Sequence, residues 1–85
     1  MTFSRMDIEQ GLILAIRKVS GADAPERVPV EMSLRDELGI DSLAMIELTE
    51  EIRELYGVTI PEESQESLAT FGDAVDYIES ELTAA

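Results

Sequence analysis

Between Gly39 and Gly57 the sequence permits little but a helix. Gly39 allows a backbone turn that other residues resist, Asp41 is a good N-cap, and Gly57 supplies the left-handed residue on which helices commonly end. The predicted helix therefore runs from Ser42 to Tyr56, with Met45, Leu48, Ile52, Leu55 and Tyr56 recurring at steps of three and four on its core side. Leu43, Ile46, Glu47, Glu50 and Glu54 fall on the other side. A merely solvated face has no use for two aliphatic side chains beside Ser42. Leu43 and Ile46 thus read as apolar anchors for a partner, and Asp41, Glu47, Glu50 and Glu54 as an electrostatic guide for a surface rich in Arg and Lys; the competing reading of the carboxylates is solubility alone. Glu50 also has Arg53 within reach on the same helix. Ser42 falls at the positive end of the helix dipole, where a phosphate ester on its hydroxyl would sit beside unsatisfied backbone N–H groups.

The rest of the chain reads as support for that segment. A first helix is predicted from Ser4 to Val19, with Ile8, Leu12, Ala15, Ile16 and Val19 as its apolar stripe, Ile13 and Leu14 broadening it, and Ser20-Gly21 as the stop. Gly21, Pro25 and Pro29 punctuate a connecting loop to Ser33, in which Val28 and Met32 are the expected anchors. Ser33 caps one helical turn, 34–38, whose Leu34 and Leu38 face inward and hold the serine loop rigid. After Gly57, Val58-Thr59-Ile60 is too short and solitary to pair as a strand and is expected to pack inward as an extended loop. Pro61-Glu62-Glu63 opens a short helical segment toward Leu68. Thr70, with Asp73 three residues on, forms a capping box for a last helix whose buried stripe is Phe71, Ala74, Val75, Ile78 and Leu82. The fold class is all-α, a small four-helix bundle of three main helices and one short one, with 1–85 as a single domain.

Composition narrows the function. Six Lys and Arg against 19 Asp and Glu give a net charge of −13, which argues against nucleic acid or an anionic membrane surface and for partners with basic patches. Disorder is the usual fate of a strongly acidic chain, but 45% hydrophobic residues at helical spacing argue for folding. A chain of this length buries only roughly 60–65% of its unfolded surface, so the core is modest. Cys and His are absent, which removes disulfides, Cys-His and Ser-His-Asp nucleophile systems and His-containing metal sites. Paired carboxylates such as Glu47 and Glu51 would lie on a convex helix face, a poor setting for acid–base catalysis. There is no apolar run long enough for a signal peptide or a membrane span, so a cytoplasmic monomer is the expectation.

Three stretches carry a family resemblance: Leu38-Gly39-Ile40-Asp41-Ser42-Leu43, then Tyr56-Gly57-Val58-Thr59-Ile60-Pro61, then Thr70-Phe71-Gly72-Asp73-Ala74-Val75-Asp76-Tyr77-Ile78. Together, over roughly residues 28–82, the sequence resembles the acyl carrier proteins. The resemblance implies that Ser42 carries a 4′-phosphopantetheine arm, moved from coenzyme A onto its oxygen by a phosphopantetheinyl transferase, with acyl groups held as thioesters on the terminal thiol. It implies a carrier without catalytic residues of its own, serving an acyltransferase, ketosynthase or other acyl-processing enzyme of fatty-acid or polyketide-type biosynthesis. It also implies an interior that can take up part of an acyl chain, lined by Met45, Leu48, Ile52, Tyr56, Ile60, Leu68, Ala74 and Ile78, against the alternative of a filled core. Ala44, Glu50 and Gln65 depart from the fatty-acid pattern, and the stretch Gly39-Ile40-Asp41-Ser42-Leu43-Ala44 leans toward free-standing carriers of polyketide-type synthases. Two alternatives stand beside this reading: an aminoacyl or peptidyl carrier, and an acidic helical interaction module that is never modified.

Overall fold

The computed structural model describes residues 3–20 and 27–84. The stop expected at Gly21, Pro25 of the connecting loop and the terminal Ala85 lie outside them. Among the described residues the helices are α1 (Arg5–Ser20), α2 (Ser42–Tyr56), α3 (Glu62–Gln65) and α4 (Phe71–Thr83). The fold is all-α, as the periodicity predicts, and α2 has the predicted bounds. α4 runs one residue past the end of its apolar stripe at Leu82.

α1 is the element against which the others assemble. Ile8, Leu12, Ala15 and Ile16 are buried along it, and it packs on both α2 and α4. Its seam with α2 is antiparallel: Tyr56 at the end of α2 donates its hydroxyl proton to Ile8 O at 2.9 Å near the start of α1, while Lys18 Nζ meets Glu51 Oε1 at 3.1 Å. At the same end Arg5 bridges to α4, 2.9 Å from Asp76 Oδ1 and 3.2 Å from Glu79 Oε1. Phe71, Ala74, Val75 and Ile78 of α4 close the core, and Leu82 and Val19 are packed at its edge. Burying side chains such as Phe71, Ile8 and Leu12 stabilises the fold by about 1.5–3 kcal/mol each, which lets three helices hold together where any one alone would be marginal.

Two side chains expected in the core are outside it. Leu14 is 63% exposed, because two residues from both Leu12 and Ile16 is about 200° round a helix, opposite the stripe. Leu55 is 45% exposed for a different reason. The buried line of α2 passes through Leu48, Ile52 and Tyr56, advancing about 40° with each four-residue step, so by the last turn it has swung about 100° away from Leu55.

The connecting segment contributes more than its two anchors, although Val28 is buried and Met32 partly so, as expected. The first N–H groups of α4 donate to carbonyls of that segment, Phe71 N to Met32 O at 2.9 Å and Gly72 N to Val30 O at 2.8 Å. Leu34 N donates to Ala69 O at 3.0 Å, and Ser33 and Thr70 form an isolated antiparallel bridge. Gly72 permits this closeness, since a Cβ there would stand 2.9 Å from both Val30 Cβ and Val30 O. The capping box is present: Thr70 Oγ1 accepts from Asp73 N at 3.1 Å and Asp73 Oδ2 accepts from Thr70 N at 3.1 Å. Val58 and Ile60 are buried in an extended stretch, as expected.

Candidate functional site

The head of α2 is held from behind by a small capped turn. Ser33 Oγ accepts from Asp36 N at 3.0 Å, Glu37 Oε1 accepts from Ser33 N at 3.0 Å, and the Glu37 and Leu38 N–H groups return to Ser33 O. This is the turn expected at 34–38, and its Leu34 and Leu38 are buried. Gly39 follows with φ 69°, a conformation that side-chain-bearing residues adopt only at a cost. Ile40 is buried, and its N–H donates to Leu34 O at 2.8 Å, so residues 34–35 lie against 40–41.

Asp41 then caps α2 from an extended conformation. Its Oδ1 accepts from Ala44 N at 2.8 Å and its carbonyl from Met45 N at 2.8 Å. The N–H groups of Ser42 and Leu43 have no acceptor among the described residues, and Ser42 is exposed. The serine hydroxyl therefore stands at an open helix head, where the backbone favours an anion. The helix head fits a phosphate ester: the first-turn donors are unused and Ser42 is exposed.

Beside Ser42 lies a groove of about 530 Å³, running between the 33–36 turn, the first turns of α2 and the α3 segment. Met45 and Leu68 border it, as the expected lining had it. Leu48, Ile52, Tyr56, Ile60, Ala74 and Ile78 do not; they are buried in the packed core, with Tyr56 turned toward α1. Arg35, Asp36, Glu62 and Glu66, which also border the groove, carry no local signal in the sequence. The Ile40–Leu34 hydrogen bond brings the turn that carries Arg35 and Asp36 to the head of α2, and the Ser33–Thr70 bridge ties that turn to the chain that follows α3. Gln65 lines the groove with its Nε2 donating to Ile60 O at 3.3 Å.

Leu43 and Ile46 project from the same helix head, 67% and 54% exposed. Glu47, Glu50 and Glu54 are exposed farther along α2, with Glu54 about 18 Å from Ser42 at 1.5 Å per residue. Glu50 pairs with Arg53 at 3.3 Å, the internal contact its spacing suggested. The structure thus groups Asp41, Ser42, Leu43 and Ile46 and strings the three glutamates away from them. Glu51 is engaged by Lys18, so it is not one of a pair of free carboxylates with Glu47.

A family model described as "phosphopantetheine attachment site" matches residues 10–78, most of the chain. The chain belongs to the acyl carrier protein family. An acyl carrier protein of Acidothermus cellulolyticus is 39% identical over the whole of both chains. A meromycolate extension acyl carrier protein of Mycolicibacterium aurum is 42% identical over 93% of this chain and 80% of its own. An acyl carrier protein of Renibacterium salmoninarum is 40% identical over 91% of this chain and 94% of its own. Membership makes this an acyl carrier of fatty-acid or polyketide type with covalently attached 4′-phosphopantetheine as its prosthetic group. Among the described residues no helix of this carrier is long and apolar enough to cross a membrane.

Proposed function

We propose that Ser42 Oγ is the attachment point of the phosphopantetheine arm, and that residues 1–85 work as one carrier domain that delivers acyl groups to partner enzymes. The exposed hydroxyl of Ser42 at an open helix head, with a groove alongside, carries this reading. When bound, the group supplies a flexible chain ending in a thiol, on which acyl groups travel as thioesters. The chain's own residues orient and dock. Gly39, Ile40 and Asp41 fix the direction of the serine, Leu43 and Ile46 seat against an apolar patch on the partner, and Glu47, Glu50 and Glu54 steer a basic surface toward them. Weak, fast docking of this kind suits a carrier that must leave each enzyme. With neither His nor Cys in the chain, bond making and breaking belong to the partners, which include a phosphopantetheinyl transferase and an acyltransferase, ketosynthase or similar enzyme.

Acyl-chain extension is the client process we favour over an aminoacyl one, since relatives at about 40% identity are named for meromycolate extension. We place the carrier in the cytoplasm as a monomer. The test is intact mass after incubation with a broad-specificity phosphopantetheinyl transferase and coenzyme A. A single adduct on the wild type, absent in Ser42→Ala, is the expected result; a folded wild type that never gains one leaves only an unmodified acidic interaction module.

A further inference from the structure

The groove beside Ser42 is bordered by four carboxylates, Asp36, Asp41, Glu62 and Glu66, and by one cation, Arg35. An anion tethered at its mouth is repelled by four groups and attracted by one. Arg35 is exposed, and among the described residues it has no carboxylate within ion-pair distance, whereas Arg5, Lys18 and Arg53 each have a partner. Arg27 likewise has no carboxylate within that distance among the described residues, but it lies outside the groove, so what sets Arg35 apart is its place in the lining beside Ser42. The backbone that carries it is held in place. Ser33 Oγ holds the next N–H, that of Asp36, and the 2.8 Å bond from Ile40 N to Leu34 O lays residue 35 beside the segment that leads into Ser42.

We propose that Arg35 is a positioning residue for the prosthetic group: its guanidinium donates to the phosphodiester oxygens on Ser42 and holds the first part of the arm over the groove. The proposal rests on the attachment at Ser42 argued above. A diester needs such a group here. It adds a negative charge to a lining that is already acidic, and at the α2 head only two free N–H groups oppose that charge. A planar fork of N–H donors suits phosphate oxygens, and Arg35 borders the same groove as Ser42. The arm would then leave Ser42 in a preferred direction, along the groove and toward Gln65 and Leu68.

The experiment compares apo and holo protein, conversion being verified by intact mass before anything else is measured. Failure to convert sinks the attachment at Ser42; everything below concerns protein already shown to be converted. In the wild type, the Arg35 Nε–H resonance of isotope-labelled protein is expected to move downfield on conversion, with the arm ending in a free thiol. That condition separates the diester from any carboxylate on a cargo. The phosphorus resonance of the holo protein is expected to shift in Arg35→Gln and to stay near the wild-type position in Arg27→Gln, which removes the same charge from an exposed site outside the groove. Arg35→Lys, which keeps the charge without the fork, should fall between. Far-ultraviolet circular dichroism checks that each variant is folded. An Arg35 Nε–H signal unmoved by conversion, or equal phosphorus shifts in Arg35→Gln and Arg27→Gln, overturns the proposal.

Discussion

Tyr56 ends α2 by reaching across to α1, and Gly11 is the residue that makes room for it. A Cβ at Gly11 would collide with the Tyr56 hydroxyl and stand 3.1 Å from the ring carbon that bears it. Gly11→Ala therefore sets overpacking of about 1–3 kcal/mol against a helix-propensity gain of up to about 1 kcal/mol, and net destabilisation is expected. Adding Tyr56→Phe should recover part of the loss and not all, because the ring carbon stays close. Denaturant melts of the single and double variants decide this. Burial pushes the Tyr56 phenol above its ordinary value, with Asp7 adding to the effect. The sign follows from linkage. Above a pH of about 10 the unfolded chain releases this proton while the folded one keeps it, so stability falls as pH rises through the folded pKa. Tyr56→Phe is expected to flatten the alkaline limb of the stability–pH curve; an unchanged limb would assign it to other groups. None of this was legible in the sequence, where Tyr56 read as one more core position and Gly11 as nothing at all. A contact between residues 45 apart leaves no periodicity to detect.

Among elements, what local chemistry dictates was read well and what two distant segments dictate together was not. The bounds of α2, the Asp41 cap, the Gly57 stop with φ 71° and the Thr70–Asp73 box are each fixed within a few neighbouring residues. The strap of residues 30–34 across the start of α4 is not, nor is the exposure of Leu55, because a stripe of apolar residues does not state where the neighbouring helix leaves it; the exposure of Leu14 follows from helical spacing alone. The strap joins the head of α4 to the turn behind Ser42, so damage at one should be felt at the other. Thr70→Ala is expected to cost about 0.5–2 kcal/mol through the lost cap. Gly72→Ala, whose new methyl meets backbone at Val30, should displace the strap as well. The double variant should depart from additivity, since the two sites share one contact network. Amide exchange at Leu34 and Ile40 is the sensitive readout: faster exchange in Gly72→Ala supports the coupling, and unchanged protection at both amides removes it.

Across the whole molecule the excess of 13 negative charges sets two opposing responses to salt. Self-repulsion weakens as the Debye length shrinks to about 8 Å near physiological ionic strength, so moderate salt or divalent cations should raise the melting temperature of the free protein. The same screening should slow association with a basic partner, because steering acts over longer distances than contact does. Neutralising Glu47, Glu50 and Glu54 to Gln is accordingly expected to raise the melting temperature, to reduce the partner association rate and to flatten both salt dependences. Scanning calorimetry and stopped-flow binding measure the two sides. A triple variant with wild-type association kinetics would confine the role of these carboxylates to solubility.

Leu38 and Ile40 are sunk on either side of the residue that turns the chain, and Asp41 locks the next step, so Ser42 is riveted rather than hung. If the arm is attached at Ser42 as proposed, little of the uncertainty in where a cargo ends up can come from its mooring. The volume that the far end sweeps is set by the length and stiffness of what is attached, and with it the local concentration that an enzyme meets once it has docked.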